Sequence, residues 1–305
     1  MPWVAAVDVG GSLMKGTLAA PDVLDFPVRR QPRSATHPVD GLLGMLSELE
    51  DQARSSGQSL AAVGVAFPGI VDETLGCVRQ AVNLGIENLD LRALLQGELN
   101  IPVYVGHDIR CAAIAERSVN GESFGPVTLV VPIGTGIGAA IVVDGQPFAA
   151  GGYAGEIGHL DVGSGRKCAC GLAGCLETVS SARAISIVYA ELSEGPMVDA
   201  ATVAARAATS DGAAIAAWNG AVEGLATALA ACCSVLGVDA VIVAGGLSLA
   251  GPALMDPLTD ALHRRLSIHR RPRLSTARLT ADAGCRGAAL GALALVTSPN
   301  TRSSA

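Results

Sequence analysis

Two stretches of this 305-residue chain read alike, and their likeness constrains the fold more than any other feature. Val4 to Val9 is an apolar run that meets Asp8, Gly10 and Gly11 and is answered by a second run from Met14 to Ala20. Val127 to Ile133 does the same around Gly134, Thr135, Gly136 and Gly138, and is answered by Ile137 to Val143. Short apolar runs on either side of a glycine turn are hairpin strands bound for a buried sheet. Two such hairpins, about 120 residues apart, imply two related halves rather than a short-period solenoid.

Half of the residues are hydrophobic and 16% are charged, so each half has apolar surface for a core and disorder is excluded. Aromatics make up 3%, which leaves Ala, Val, Leu and Ile to build those cores. With 28 acidic against 21 basic residues the net charge is -7, and nothing points to nucleic acid as a partner. Residues 123–143 and 224–238 carry no charge. The first is broken by Pro126 and Pro132, and the second falls short of the roughly 20 residues that cross a bilayer. No basic region precedes the first apolar run, which Asp8 interrupts, so neither a secretory signal nor a membrane partner is expected. The expectation is a soluble cytoplasmic protein.

Helical periodicity covers Val39 to Arg54, Leu91 to Leu99 and the Ala-rich Ile109 to Asn120, with strands at Ala61 to Phe67 and Pro102 to Gly106. Later helices are expected over 180–192, 199–208, 213–236 and 285–297, with a strand at Ala240 to Ala244. The order is α/β, without a linker to separate the halves.

Three glycine turns could carry chemistry. In Asp8-Val9-Gly10-Gly11-Ser12, followed by Lys15, a strand-end carboxylate can coordinate Mg2+ or position its waters, while glycine amides and a hydroxyl approach phosphate oxygens. Gly134-Thr135-Gly136-Ile137-Gly138 offers amides to a phosphate chain, and Gly245-Gly246, after an apolar strand, offers backbone that can lie against adenine or ribose. Each turn alone is equally well an ordinary tight turn; the repetition lends them weight. No Walker-type Gly-x-x-x-x-Gly-Lys-Ser/Thr occurs.

Of eight cysteines, Cys77, Cys111, Cys232, Cys233 and Cys285 lie in apolar or Ala-rich segments and read as packed thiols. Cys168, Cys170 and Cys175 are crowded into one loop, with His159 upstream. Three thiolates and one imidazole make a closed tetrahedral zinc site, which leaves no position for a catalytic water; the metal is expected to be structural. It would hold Glu156 and Glu177 where their carboxylates can accept hydrogen bonds from a polyol.

Together these segments resemble the ROK family (repressors, open reading frames of unknown function and sugar kinases), within the actin-like ATPase superfamily. The resemblance rests on Asp8 to Lys15, Pro68-Gly69-Ile70-Val71-Asp72, Asn83-Leu84-Gly85, Asp108 with its helix, Gly134 to Gly138, Glu156 to His159, the cysteine loop ending Leu176-Glu177, and Val243 to Gly246. It implies two ribonuclease-H-like α/β domains with an interdomain cleft, placed at residues 1–107 plus 287–305 and at 108–286, the second carrying the zinc loop. It also implies phosphoryl transfer from ATP to a hexose, with Asp108 as catalytic base, Mg2+ on the nucleotide and structural Zn2+ on His159, Cys168, Cys170 and Cys175. Nucleotide contacts fall to Asp8, Gly10, Gly11, Ser12, Lys15, Gly134, Thr135, Gly136, Gly245 and Gly246. Sugar contacts fall to Gly69, Asn83, His107, Asp108, Glu156, His159 and Glu177.

Glucose, phosphorylated on its 6-hydroxyl, is the first expectation; an N-acylhexosamine or another hexose is the alternative, and a non-catalytic sugar sensor the third. A homodimer or homotetramer is expected. Repressors of this family carry an N-terminal helix-turn-helix, and only seven residues precede Asp8 here, so a kinase is expected rather than a DNA binder. Where the family has Asn before the catalytic Asp, this chain has His107; Ile86 stands where many glucose kinases have Trp, and Ser12 for the commoner Thr. If the His107 imidazole faced the sugar, activity would fall as pH drops through its ordinary pKa of about 6.5.

Overall fold

The computed structural model describes residues 1–11, 13–21, 28–32, 38–121, 124–279 and 281–297, so Ser12 lies outside the described residues. The chain divides into two compact units, Met1–Val119 with Ala149–Ala154 and Ala281–Ala305, and Asn120–Phe148 with Gly155–Thr280.

The first unit runs, in chain order, β1 (Trp3–Val9), β2 (Leu13–Ala19), β3 (Arg29–Pro32), α1 (Pro38–Ser55), β4 (Leu60–Phe67), β5 (Ile70–Asp72), β6 (Cys77–Ala81), β7 (Ile86–Asp90), α2 (Leu91–Leu99), β8 (Val103–His107) and α3 (Asp108–Asn120). Its main sheet has the order β3-β2-β1-β4-β8. The first three strands are antiparallel neighbours, whereas β1, β4 and β8 run parallel. β5, β6 and β7 form a small antiparallel sheet of their own.

Six of the seven residues of β1 are buried, as its unbroken apolar run requires of a strand covered on both faces. On one face Val7, Val65 and Phe67 meet Leu42, Met45, Leu46 and Leu49, which recur along α1 at helical spacing.

The second unit continues with β9 (Val127–Pro132), β10 (Ala140–Val143), β11 (Gln146–Phe148), α4 (Glu177–Ser180), α5 (Ala182–Ser193), α6 (Ala200–Ala208), α7 (Gly212–Leu236), β12 (Ala240–Ala244), α8 (Pro252–Arg265) and β13 (Arg273–Thr276). Its sheet, ordered β11-β10-β9-β12-β13, repeats the first: an antiparallel hairpin extended by parallel strands. α9 (Ala283–Thr297) then returns to the first unit and covers the other face of its main sheet. That face is lined with small residues, Ala6, Ala62 and Ala66, which meet Ala288 and Ala292.

The unit boundary falls after α3 rather than at residue 108, because Arg110, Cys111 and Ala115 on α3 are buried against the first unit's own elements, and the crossing back comes at Ala281 rather than at residue 287. The apolar stretch expected at 213–236 is one helix of 25 residues, long and apolar enough to cross a membrane by length and composition. Half of its most apolar window is nevertheless buried, against α5, α6 and α8, so its hydropathy is that of a core helix. The helix expected at 180–192 is α5; Ser181 adopts extended backbone, separates it from the short α4 and caps it by accepting from the Ala184 amide at 3.1 Å.

Gly64 of β4 faces α9 so closely that a Cβ there would stand 2.0 Å from the Ala288 carbonyl oxygen. Gly64→Ala is therefore expected to lower stability by about 2 kcal/mol or more, read by urea unfolding. A variant as stable as the parent would show that α9 does not approach β4 so closely.

Candidate active site

Parallel pairing decides which residues of the first unit share an edge. Asp8 of β1 pairs with Ala66 of β4, and Phe67 of β4 pairs with His107 of β8. Asp8, Gly69 and Asp108 thus all stand at the carboxyl ends of parallel strands, where open α/β sheets take their ligands. Gly10 closes the first hairpin by donating to the Leu13 carbonyl at 3.0 Å, and Gly11 faces open space.

Lys15, reaching back across that hairpin, places Nζ 3.2 Å from Asp8 Oδ2 and donates to the Ala281 carbonyl. Burial pushes the Asp8 carboxyl above its ordinary value, and Lys15 opposes the rise. α9 contributes too: a Cβ on Gly284 would stand 3.0 Å from the Asp8 carboxyl, so only glycine leaves the acid its room.

Asp108 opens α3 as the first residue after β8. Its Oδ1 accepts from the Ile109 amide at 2.7 Å and lies 3.2 Å from Nε2 of His107. Oδ2 meets no hydrogen-bond donor among the described residues. About a third of the Asp108 side chain remains accessible, yet it is set deep enough that desolvation raises its carboxyl to about 6, against the pull of the Ile109 amide, Arg110 and Lys15.

His107 is buried, and its Nδ1 has no hydrogen-bond partner. Desolvation, with Arg110 nearby, lowers the imidazole to about 3. A response near 6.5 is expected only of an imidazole facing the sugar; burial instead favours the neutral ring.

Gly69 takes a left-handed backbone (φ 97°), and a Cβ there would stand 2.2 Å from the Gln80 carbonyl. Asn83 stands exposed in a short 3-10 turn that ends at left-handed Gly85 and leads into β7. It is carried by the small sheet rather than by the edge that holds Asp108.

In the second unit the two glycine turns are neighbours, because β9 and β12 pair in parallel from Thr128/Ala240 to Pro132/Ala244. The Ile133 carbonyl receives the Leu247 amide at 3.1 Å, and a Cβ on Gly245 (φ 77°) would stand 2.5 Å from that carbonyl. Gly134 and Gly246 meet nothing within 4 Å on their open sides. Beside Gly246 and Leu247 lies a cavity of about 420 Å3, walled by alanines of α6 and by Trp218, with Asp199 at its edge. Glu177, half-buried, accepts from the Ile137 amide at 3.0 Å, and a Cβ on Gly136 would strike its Oε2 at 2.6 Å. Glu156 precedes the 3-10 turn that carries His159, whose amide donates to the Glu156 carbonyl at 3.1 Å.

His159, Cys168, Cys170 and Cys175 bring one ligand atom each within 4.8 Å of all the others. Cys168 Sγ lies 3.7 Å from His159 Nδ1, and Cys170 Sγ lies 3.7 Å from Cys175 Sγ. That spacing is far too long for a disulfide and matches thiolates ~2.3 Å from a shared ion, whose tetrahedral edges measure ~3.8 Å. The loop is shaped for it by left-handed Gly171 and Gly174 and by the Cys168 amide, which donates to the Leu172 carbonyl at 2.8 Å.

Sequence reasoning passed over Glu73, Arg110 and Gly284. Arg110 sat inside an Ala-rich helix that read as ordinary; an arginine on a helix face otherwise made of Cys, Ala and Ile was the available signal.

A repeated strand-hairpin sheet in each unit, with glycine turns and carboxylates at the strand ends, defines a protein of the actin-like ATPase class. The chain belongs to the ROK family, whose model matches residues 4–298. It is 30% identical over 280 residues to the glucokinase of Halalkalibacterium halodurans, covering 84% of each chain. The crystal structure of the ROK hexokinase from Thermus thermophilus is similar at a TM-score of 0.83 and 28% identity, covering 96% of this chain and 99% of that one. The transcriptional regulator NagC of Escherichia coli is 34% identical over 146 residues, 47% of this chain and 36% of its own length.

The neutral state of His107 is open to direct measurement. Its imidazole resonances in NMR are expected to stay unshifted from pH 8 down to pH 5, and a titration midpoint near 6.5 would contradict the burial described here.

Proposed function

We propose that the chain is an ATP-dependent sugar kinase in which Asp108 is the catalytic base. The observation that carries the reading is the state of this carboxylate, anchored through Oδ1 and open at Oδ2, at the carboxyl edge of the parallel strands. Oδ2 takes the proton of the acceptor hydroxyl as that oxygen attacks the γ-phosphorus. The bond to the β,γ-bridging oxygen breaks, and ADP leaves with the electron pair.

The Thr135 and Gly136 amides would meet the phosphates, the Gly134 amide being held by the Gly136 carbonyl at 3.0 Å, and the cavity beside Gly246 has the size and apolar walls for an adenine. Asp8 and Lys15 suit the charge at the phosphate end; Mg2+ bound there would neutralise charge that develops on the transferred group. Gly69, Asn83, Glu156, His159 and Glu177 are assigned to the sugar, and Zn2+ on the Cys3His cluster would fix the ring of His159. Once a bound sugar covers them, polar groups of this kind discriminate hydroxyl patterns, since an unmatched sugar leaves them unpaired. Glucose is the substrate we favour, with the N-acylhexosamines next.

Three outcomes test the reading. Asp108→Asn is expected to lower turnover by roughly two to four orders of magnitude in an ATP-coupled assay across glucose, mannose, N-acetylglucosamine and N-acetylmannosamine. Because burial holds the carboxyl near 6, the same substitution should leave the unfolding temperature unchanged or higher. Turnover of the parent protein should be flat above pH 7 and fall roughly tenfold per pH unit below about 6, as the base becomes protonated. Near-parental turnover in Asp108→Asn removes the assignment. Separately, metal analysis is expected to find one zinc per chain, and none in Cys175→Ser.

A further inference from the structure

Among the described residues Arg110 is the largest fully buried side chain, 1% exposed, and it lies two residues beyond Asp108 on α3. An unpaired guanidinium in such a place costs several kcal/mol, so every contact it makes has structural weight. Its Nε donates to Glu73 Oε1 at 2.9 Å, one terminal nitrogen donates to the Val71 carbonyl at 2.9 Å, and the other reaches the Ala154 carbonyl at 3.4 Å. The same Glu73 oxygen also accepts from the backbone amide of His107 at 2.9 Å. One carboxylate oxygen therefore holds the residue before Asp108 and the residue two after it.

We propose that Glu73 and Arg110 are positioning residues, a buried ion pair that staples the junction of β8 and α3 so that Asp108 presents Oδ2 to the acceptor hydroxyl. The inference rests on the reading of Asp108 as base. Three features of the geometry support it. The staple grips backbone rather than the Asp108 side chain, so it sets the direction in which that side chain leaves the chain. Oδ1 is already engaged by Ile109 and faces His107, so rotation of the carboxylate is restrained once the backbone is fixed. The guanidinium, which favours the ionised form of Asp108, is itself paired with Glu73 at 2.9 Å. The charged and titratable groups around Asp108 are Arg110 and Cys111 on its own helix, Lys15 of β2, Asp8 of β1 and His107 of β8, with Glu73 after β5 acting through Arg110.

The pair can be tested by removing either charge while its shape is kept. In Glu73→Gln the amide oxygen can still accept from both nitrogens, but the guanidinium loses its counter-charge. In Arg110→Met the carboxylate is the one left uncompensated. With ATP and the best hexose of the panel, each single variant is expected to lower kcat about 10- to 100-fold with the sugar KM within threefold, the cost of a misplaced base.

The acid limb of the pH profile should move in opposite directions: to lower pH in Glu73→Gln, where an unmatched cation favours the ionised base, and to higher pH in Arg110→Met. The double variant should recover at least tenfold in kcat over Arg110→Met and return the limb to its parental position. Circular dichroism establishes that each variant is folded. If Arg110→Met does not fold, Glu73→Gln and the double variant carry the test alone.

Unchanged kcat in folded single variants, or limbs that shift together, overturns the staple while Asp108→Asn remains inactive. Activity in Asp108→Asn overturns the underlying reading instead.

Discussion

Everything at the candidate site of the first unit hangs on the parallel ladder of β1, β4 and β8. Parallel strands point their carboxyl ends the same way, and the register then decides which residues sit there: Asp8 one residue before its strand ends, Gly69 two after β4, Asp108 immediately after β8. A slip of one residue in either pairing would turn the buried runs of valine and alanine toward the wrong face. The tight packing of α1 on one side and α9 on the other forbids such a slip, so chemistry inherits its precision from apolar packing.

That arrangement carries a cost borne in charge. Within the first unit the protein buries an acid (Asp8), holds a second acid above its ordinary range (Asp108), suppresses the protonation of an imidazole (His107) and encloses a guanidinium (Arg110). Each would be more comfortable in water. They concentrate near one strand edge, while the buried polar side chains of the second unit, Thr128, Ser180, Ser181 and Ser186, are uncharged among the described residues; such a cluster of perturbed groups is the usual sign of a functional site.

Much of this was legible beforehand. The strand-turn-strand repeats, the long helices and the cysteine cluster are all local patterns, and local patterns survive in a sequence read alone. What could not be read depends on partners distant in the chain. Arg110 acquires meaning only when the fold brings Glu73 beside it, and Gly284 only when α9 lies against Asp8. β3, β6, β7, β11 and β13 were missed because they are short and carry exposed polar residues, and β5 because it has only three residues, so neither alternation nor an apolar run marks them. His107 was left open for a related reason: its solvent exposure, which decides whether it titrates, is a property of the folded state.

The split of the first unit along the chain bears on how the protein is born. A ribosome delivers residues in order, and the second unit is complete, apart from the excursion at Ala149–Ala154, before the last helix emerges. The first unit, although most of it is synthesised first, must wait with one face of β1 and β4 uncovered until α9 arrives. During that interval the alanine-lined surface and the Gly64 groove stand open to water or to a chaperone, and the acid at the end of β1 lacks the helix start that later hems it in. A product that stops before α9 would still hold the Cys3His cluster of the second unit, yet its first unit would keep one face of the main sheet uncovered.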